Sequence, residues 1–334
     1  MAPRRMLCAV AALVLFGAVQ MPAEAQTQPA AQAPAGGATP VTLTIFAAGT
    51  LAVPFRAVSD AFESRNPGVH VEAEYGGSVK MARQITDLHR PADILAVADY
   101  SVIPTYLFGE QGKTAYARWY VGFARNAITF VYTPKSKYAD EMTPQNWYEV
   151  LARPGVEIGR SNPDTDPSGY QTLQMLGLAA SYYGNPQLRA QILANAPETN
   201  MRDTETDLIS ALQLGQIDYL AIYRSDALQH QLRYIPMPPQ IDLSDPDDAA
   251  LYAKAFAETR NGAIAGKPIV YALTIPSVAA QPAWAERYIA FLLGPDGQKV
   301  LAADGFGTVH PALAVNPEAM PQSLRPLVAA WPPA

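Results

Sequence analysis

Between Leu43 and Val97 the chain reads strand, helix, strand, helix, strand, and that order leaves few folds open. Leu43–Ala48 (LTIFAA) is a short apolar run. Leu51, Phe55, Val58 and Phe62 then recur at spacings of four, three and four, the stripe of a helix packed on one face. Val69, Val71 and Ala73 alternate with His70, Glu72 and Glu74, the period of a half-buried strand. After a Gly76-Gly77 turn, Met81, Ile85 and Leu88 mark a second helix and Ile94–Val97 a third strand. Strands joined by helices in this way pair in parallel through right-handed crossovers, so an α/β sheet is expected.

A second set follows Tyr120. Ile128–Tyr132 reads as a strand, Trp147–Leu151 as a short helix, Val156–Gly159 as a strand and Tyr170–Tyr183 as a helix; Leu208–Leu214 and Ile217–Ile222 continue the alternation. Nearer the end, Ile269–Ile275 reads as a strand and Trp284–Leu293 as a helix stopped by Gly294-Pro295. The pattern is of two α/β units of similar size joined by more than one crossing. Without a repeat of fixed period, it argues against solenoids and propellers.

The first residues read as an address. Arg4 and Arg5 precede the apolar run Met6–Val19, and Ala23-Glu24-Ala25 offers a small-x-small cleavage site before Gln26. That run is shorter than the roughly 20 residues a spanning helix needs. A signal peptide over residues 1–25 and a flexible Ala/Pro/Gln/Gly-rich linker over 26–40 are therefore expected. Cys8, the single cysteine, falls inside the leader, which removes disulfides, zinc thiolates and cysteine nucleophiles from consideration for the mature chain. The net charge of −6 becomes −7 once Arg4, Arg5 and Glu24 are removed. With only 16% charged residues, such a chain has no electrostatic footprint for nucleic acid or anionic lipid. His70, His89, His230 and His310 are scattered without the spacing of a metal-cation site. Any anion has to be held by local dipoles.

Four strand-to-helix junctions could supply them: Ala48-Gly49-Thr50, Gly76-Gly77-Ser78, Asp166-Pro167-Ser168-Gly169 and Thr204-Glu205-Thr206-Asp207. Each presents unpaired backbone N–H groups and the positive end of a helix dipole, and together they would cradle a dianion without Lys or Arg. Taken singly, Thr50, Ser78, Ser168 and Thr204 read equally well as ordinary N-caps, the last within a capping-box pattern.

In order along the chain, the stretches AAGTLAVPF, EYGGSVKMARQITDLHRPADILAVADYSVIP, ARWYVGFARNAITFVYTPKSKY, NWYEVLARPGVEIGRSNPDTDPSGYQT, ETDLISALQLGQIDYLAIYRSDALQH, GKPIVYALTIP and FLLGPDGQKVL resemble the substrate-binding proteins of tungstate and molybdate importers, above all the branch first associated with archaea. The resemblance covers nearly everything beyond Thr42. It implies an α/β, two-lobed, type II periplasmic binding protein fold, each lobe a mixed, mostly parallel sheet flanked by helices. Lobe 1 would comprise residues 41–125 and 267–334, lobe 2 residues 126–266, with the crossings near Phe123–Asn126 and Gly266–Pro268 as a hinge. It implies that Gly49, Thr50, Ser78, Asp166, Pro167, Ser168, Glu205 and Tyr223 line a tetrahedral oxyanion, with Thr50 where the family usually has Ser and Ser168 where Cys is common. It further implies a periplasmic, non-enzymatic monomer without cofactor, partnered by an ABC transporter permease in the inner membrane and by no nucleic acid.

Asp166 and Glu205 are chemically awkward in that set, because carboxylates repel a dianion in a poorly solvated cleft. Either one is protonated, or both lend oxygens to the central Mo(VI) or W(VI), which can expand beyond four oxygen neighbours whereas sulfur in sulfate cannot. The plainer alternatives are that Asp166 caps its helix, that Glu205 sits exposed in a first turn, and that Tyr223 is a core aromatic rather than a donor. The rival functions are a binding protein for another anion such as sulfate, and an enzyme acting on a phosphate or sulfate ester, for which no nucleophile and base pair is evident.

Overall fold

The computed structural model describes residues 40–109 and 114–331; the leader, with Cys8, and the linker up to residue 39 lie outside them. The opening alternation is realised as β1 (Val41–Ala48), α1 (Ala52–Arg65), β2 (Val69–Gly76), α2 (Ser78–Thr86) and β3 (Ile94–Val97). β1 pairs in parallel with β2 on one side and β3 on the other. Leu51, Phe55, Val58 and Phe62, the expected stripe, are buried with Leu43 and Ile45 in one core. Met81 and Ile85 of α2 are buried too, but Leu88 is 67% exposed, because α2 ends at Thr86 and residue 88 no longer follows the helical period.

α3 (Val102–Leu107) and β4 (Tyr120–Arg125) follow, and the chain crosses at once into β5 (Ile128–Tyr132). Next come α4 (Trp147–Leu151), β6 (Ile158–Ser161), α5 (Pro167–Tyr182), α6 (Leu188–Ala194) and β7 (Met201–Arg202). β6 starts later than the apolar run suggests: Gly155, at φ +82°, turns the chain, and Val156 packs from the turn rather than from the strand. α7 (Ile209–Leu214), β8 (Tyr219–Tyr223), α8 (Arg224–Gln229) and β9 (Arg233–Tyr234) continue this half. Two short helices, α9 (Pro239–Asp242) and α10 (Ala249–Tyr252), lead to an antiparallel hairpin of β10 (Phe256–Thr259) and β11 (Gly262–Ala265). The chain returns through β12 (Val270–Thr274) to α11 (Pro282–Leu293), α12 (Pro295–Ala303), β13 (Gly307–Val315) and β14 (Val328–Ala330). Gly294-Pro295 does stop α11, and Pro295 then opens α12, since proline suits a first helical position.

Besides the β10–β11 hairpin, the described residues form two larger sheets: seven strands in the order β14-β13-β4-β12-β3-β1-β2, and five in the order β7-β6-β8-β5-β9. Parallel ladders join β1 to β2 and β3, β13 to β14, and β6 to β7 and β8. The strands beside the crossings, β4, β5 and β12, run antiparallel to their neighbours, so both sheets are mixed and parallel and antiparallel ladders are balanced. β3, β8 and β12 are buried along their whole length, as strands covered by helices on both faces must be. Among the described residues no helix is long and apolar enough to cross a membrane.

Candidate functional site

In open α/β sheets the ends of strands and the starts of the following helices gather on one side, where backbone N–H groups stand free for a ligand. Here Gly49 and Thr50 form a 3-10 turn between β1 and α1, and Ser78 is the first residue of α2. Asp166 precedes α5, whose first two residues are Pro167 and Ser168. Glu205 opens a 3-10 turn, Glu205–Leu208, ahead of α7, and Tyr223 ends β8. All eight residues are buried.

The capping alternatives fail on geometry. Asp166 and Thr204 occupy N-cap positions but neither side chain accepts a capping hydrogen bond, and the capping box at Thr204 does not form. Thr204 Oγ1 instead donates to Glu205 Oε2 at 3.3 Å. Thr50 Oγ1 bonds Tyr271 Oη at 2.9 Å, and Ser78 Oγ accepts from the Ala98 N–H at 3.0 Å. Glu205 is 1% exposed, so it is no surface first-turn acid. Tyr223, expected to offer its O–H to a ligand, gives it to Gln171 Oε1 at 2.7 Å.

The two halves meet over these residues. The Val79 and Lys80 N–H groups donate to the Thr165 carbonyl at 3.2 and 3.3 Å. Both opening junctions are crowded: a Cβ on Gly49 would lie 2.9 Å from the hydroxyls of Thr204 and Thr206, which would have to turn away, and one on Gly77 would run into the Thr165 carbonyl oxygen, so glycine is required at residue 77. Tyr170 of α5 donates to Asp99 Oδ2 at 2.7 Å, and Lys267 Nζ lies 3.0 Å from the same oxygen, which leaves that buried carboxylate paired. At the crossing, Asn126 Nδ2 donates to Ser225 Oγ at 2.8 Å and to Tyr271 Oη at 3.3 Å.

Electrostatically this buried cluster is unusual. Burial lifts the Asp166 carboxyl well above the usual carboxylate range, and the nearby Glu205 carboxyl lifts it further; the Ser78 backbone N–H acts the other way. Burial and Glu205 likewise raise Asp226. The phenols of Tyr223 and Tyr271 are raised, chiefly by burial. Asp166 Oδ2, both carboxyl oxygens of Asp226, Ser161 Oγ, Ser168 Oγ and Gln171 Nε2 are buried without a hydrogen-bond partner among the described residues. Native interiors leave few such groups, and all of these lie on residues at or beside the strand-to-helix junctions. The cluster combines donors with acids able to hold a proton. Among the described residues no group of three or more His, Cys, Asp or Glu could hold a metal ion.

Ser161, Gln171, Asp226 and Tyr271 belong to this constellation and were not anticipated. Ser161 ends β6 and Asp226 lies in the first turn of α8, positions of the same junction type that a stricter search of strand ends would have flagged. Gln171 and Tyr271 sit inside regular elements, where no local signal sets them apart.

A model of the family described as bacterial extracellular solute-binding protein matches residues 43–307. An uncharacterized solute-binding protein of Petrotoga mobilis is 40% identical over 289 residues, 85% of this chain and 88% of the relative. The molybdate/tungstate-binding protein of Thermococcus kodakarensis is 37% identical over 315 residues, 86% of this chain and 87% of the relative. Among solved structures, the periplasmic molybdate-binding protein of Azotobacter vinelandii aligns with a TM-score of 0.58 at 19% identity, over 80% of this chain and 99% of the other. The sulfate-binding protein SubI of Mycobacterium tuberculosis aligns at 0.56 and 17%, over 80% and 87%. At these identities the structures speak for the fold, the two-lobed type II arrangement expected from the sequence.

Proposed function

Because the chain belongs to the bacterial extracellular solute-binding proteins, we propose that its solute is molybdate or tungstate, held in the enclosed space between the two halves and passed to an ABC-type permease. The observation that carries this reading is the set of buried, unpartnered polar atoms at Ser161, Asp166, Ser168, Gln171 and Asp226. Beside them lie the N-termini of α2 and α5, whose dipoles favour an anion. Asp166 and Glu205 favour a centre that accepts further oxygen ligands over sulfate. Each acid that ligates gives up any proton it holds. The 37% identity to a molybdate/tungstate-binding protein supports the same choice.

In this reading residues 41–125 and 267–334 form one lobe and 126–266 the other, with Asn126 at the hinge. Ligand closes the lobes because its contacts on both are complete only when they meet. Residues 1–25 direct export to the periplasm, 26–40 act as a tether, and the protein works as a monomer. We assign no catalytic residue, as the family is one of binding proteins. Thermal unfolding of the purified protein tests the proposal. Molybdate or tungstate at about 100 times its Kd should add about 2.7 kcal/mol of stability, a rise of several degrees. Equal melting temperatures with and without each anion would refute it.

A further inference from the structure

We infer that Gln171 is a direct hydrogen-bond donor to the bound anion and that Tyr223 acts through it, a refinement that rests on the oxyanion reading. Gln171 follows Ser168 by three residues on α5, so the two side chains share a helix face, and Gln171 is 1% exposed. A carboxamide carries one carbonyl acceptor and two N–H donors. Its Oε1 accepts the Tyr223 O–H at 2.7 Å, while Nε2 has no partner among the described residues. Ser168 Oγ is unpartnered as well. Asp166 and Glu205 both act on the Tyr223 phenol, which places this hydrogen bond within reach of the two acids.

The orientation of the amide follows from its surroundings. Turned over, it would deprive the Tyr223 O–H of the Oε1 acceptor it now has. Held as it is, the NH2 group is a neutral donor fixed in direction, and a fully deprotonated tetrahedral anion offers it a lone pair at every corner. Tyr223 cannot give the same hydrogen to Gln171 and to the anion, so it is a positioning residue.

Molybdate titrations of wild type, Gln171→Met, Tyr223→Phe and the double variant test this, together with NMR of the Gln171 side-chain amide in the wild-type protein. Gln171→Met should weaken molybdate binding about tenfold or more, the loss of a hydrogen bond to a charged group. Tyr223→Phe should weaken it less, and the double variant no more than Gln171→Met alone. In wild type the Gln171 NH2 resonances should shift and become protected from exchange when molybdate binds. Unchanged affinity in Gln171→Met, additive losses in the double variant, or NH2 signals indifferent to molybdate would each overturn the inference while leaving the oxyanion reading in place. Failure of the wild-type protein itself to bind molybdate would overturn both. The NMR arm needs no substitution, so a variant that does not fold leaves the test intact.

Discussion

Gly77 of the first half stands against Thr165 of the second so closely that a methyl group on residue 77 would overlap the Thr165 carbonyl oxygen and lie 2.9 Å from that of Asp203. The same carbonyl of Thr165 accepts the N–H groups of Val79 and Lys80. At Gly77 the contact between the halves is backbone to backbone, with no flexible side chain to yield, whereas Tyr170–Asp99 and Lys80–Asp203 join them through side chains. Gly77→Ala should leave each half folded but hold the lobes apart, weakening anion binding by about tenfold or more, since 1.4 kcal/mol of lost contact is already tenfold. Titration calorimetry beside far-UV circular dichroism would separate this from unfolding; unchanged affinity would show that closure does not use this contact.

Asp166 and Glu205 give a second expectation. If both lend oxygens to the metal centre, Asp166→Ala and Glu205→Ala should each weaken molybdate and tungstate by at least about tenfold. Any weak sulfate binding should fall less, because sulfur does not take additional oxygen ligands. Equal losses for all anions would point to general disruption of the chamber.

The raised carboxyls fix a pH dependence. Asp166 and Asp226 are both lifted well above the usual range by burial, and Asp242 is pushed up to about 6. A raised acid binds its proton more tightly folded than unfolded. Its contribution is therefore complete below the ordinary carboxylate value of about 3.9 and is lost as pH rises through the folded-state value. Ligand-free protein should be more stable at pH 5 than at pH 8, as read from urea midpoints, and Asp226→Asn should flatten the slope. Glu74 and Asp87, lowered by Arg90 and Arg83, act below this window and are exposed enough to count for little.

Tyr271 connects Thr50 with the crossing residue Asn126, at 2.9 and 3.3 Å. Tyr271→Phe keeps the buried ring and removes only the hydroxyl, so it should cost about 1–2 kcal/mol of stability, the value of a buried hydrogen bond and the partners it leaves unpaired. Chemical denaturation measures this; a neutral result would mean that Thr50 and Asn126 find new partners.

How much of this was legible follows from where each signal lies. The β1-α1-β2-α2-β3 order was readable because Phe55, Val58 and Phe62 keep helical period and Ile94–Val97 is a bounded apolar run. Thr50, Ser78, Asp166 and Glu205 were readable as small or polar residues at junctions, but the choice between cap and chamber was not. Burial of Glu205 depends on tertiary packing of the Glu205–Leu208 turn against β6 and β8, which no local pattern announces. Gln171 was hidden for a related reason: Pro167 to Met175 are buried on every face of α5, so no amphipathic stripe separates a core position from one turned to the site. Leu88 failed in the opposite sense, since an apolar residue in register carries no mark of where its helix ends.

The most direct measurement is calorimetric titration of residues 26–334 with molybdate, tungstate, sulfate and phosphate at neutral pH. We expect submicromolar Kd for the first two, a binding free energy of more than about 8 kcal/mol, with sulfate and phosphate weaker by roughly a hundredfold or more, about 2.7 kcal/mol. Absence of binding by molybdate and tungstate, or sulfate binding as tightly as either, would contradict the assignment of this chamber to an expandable oxyanion.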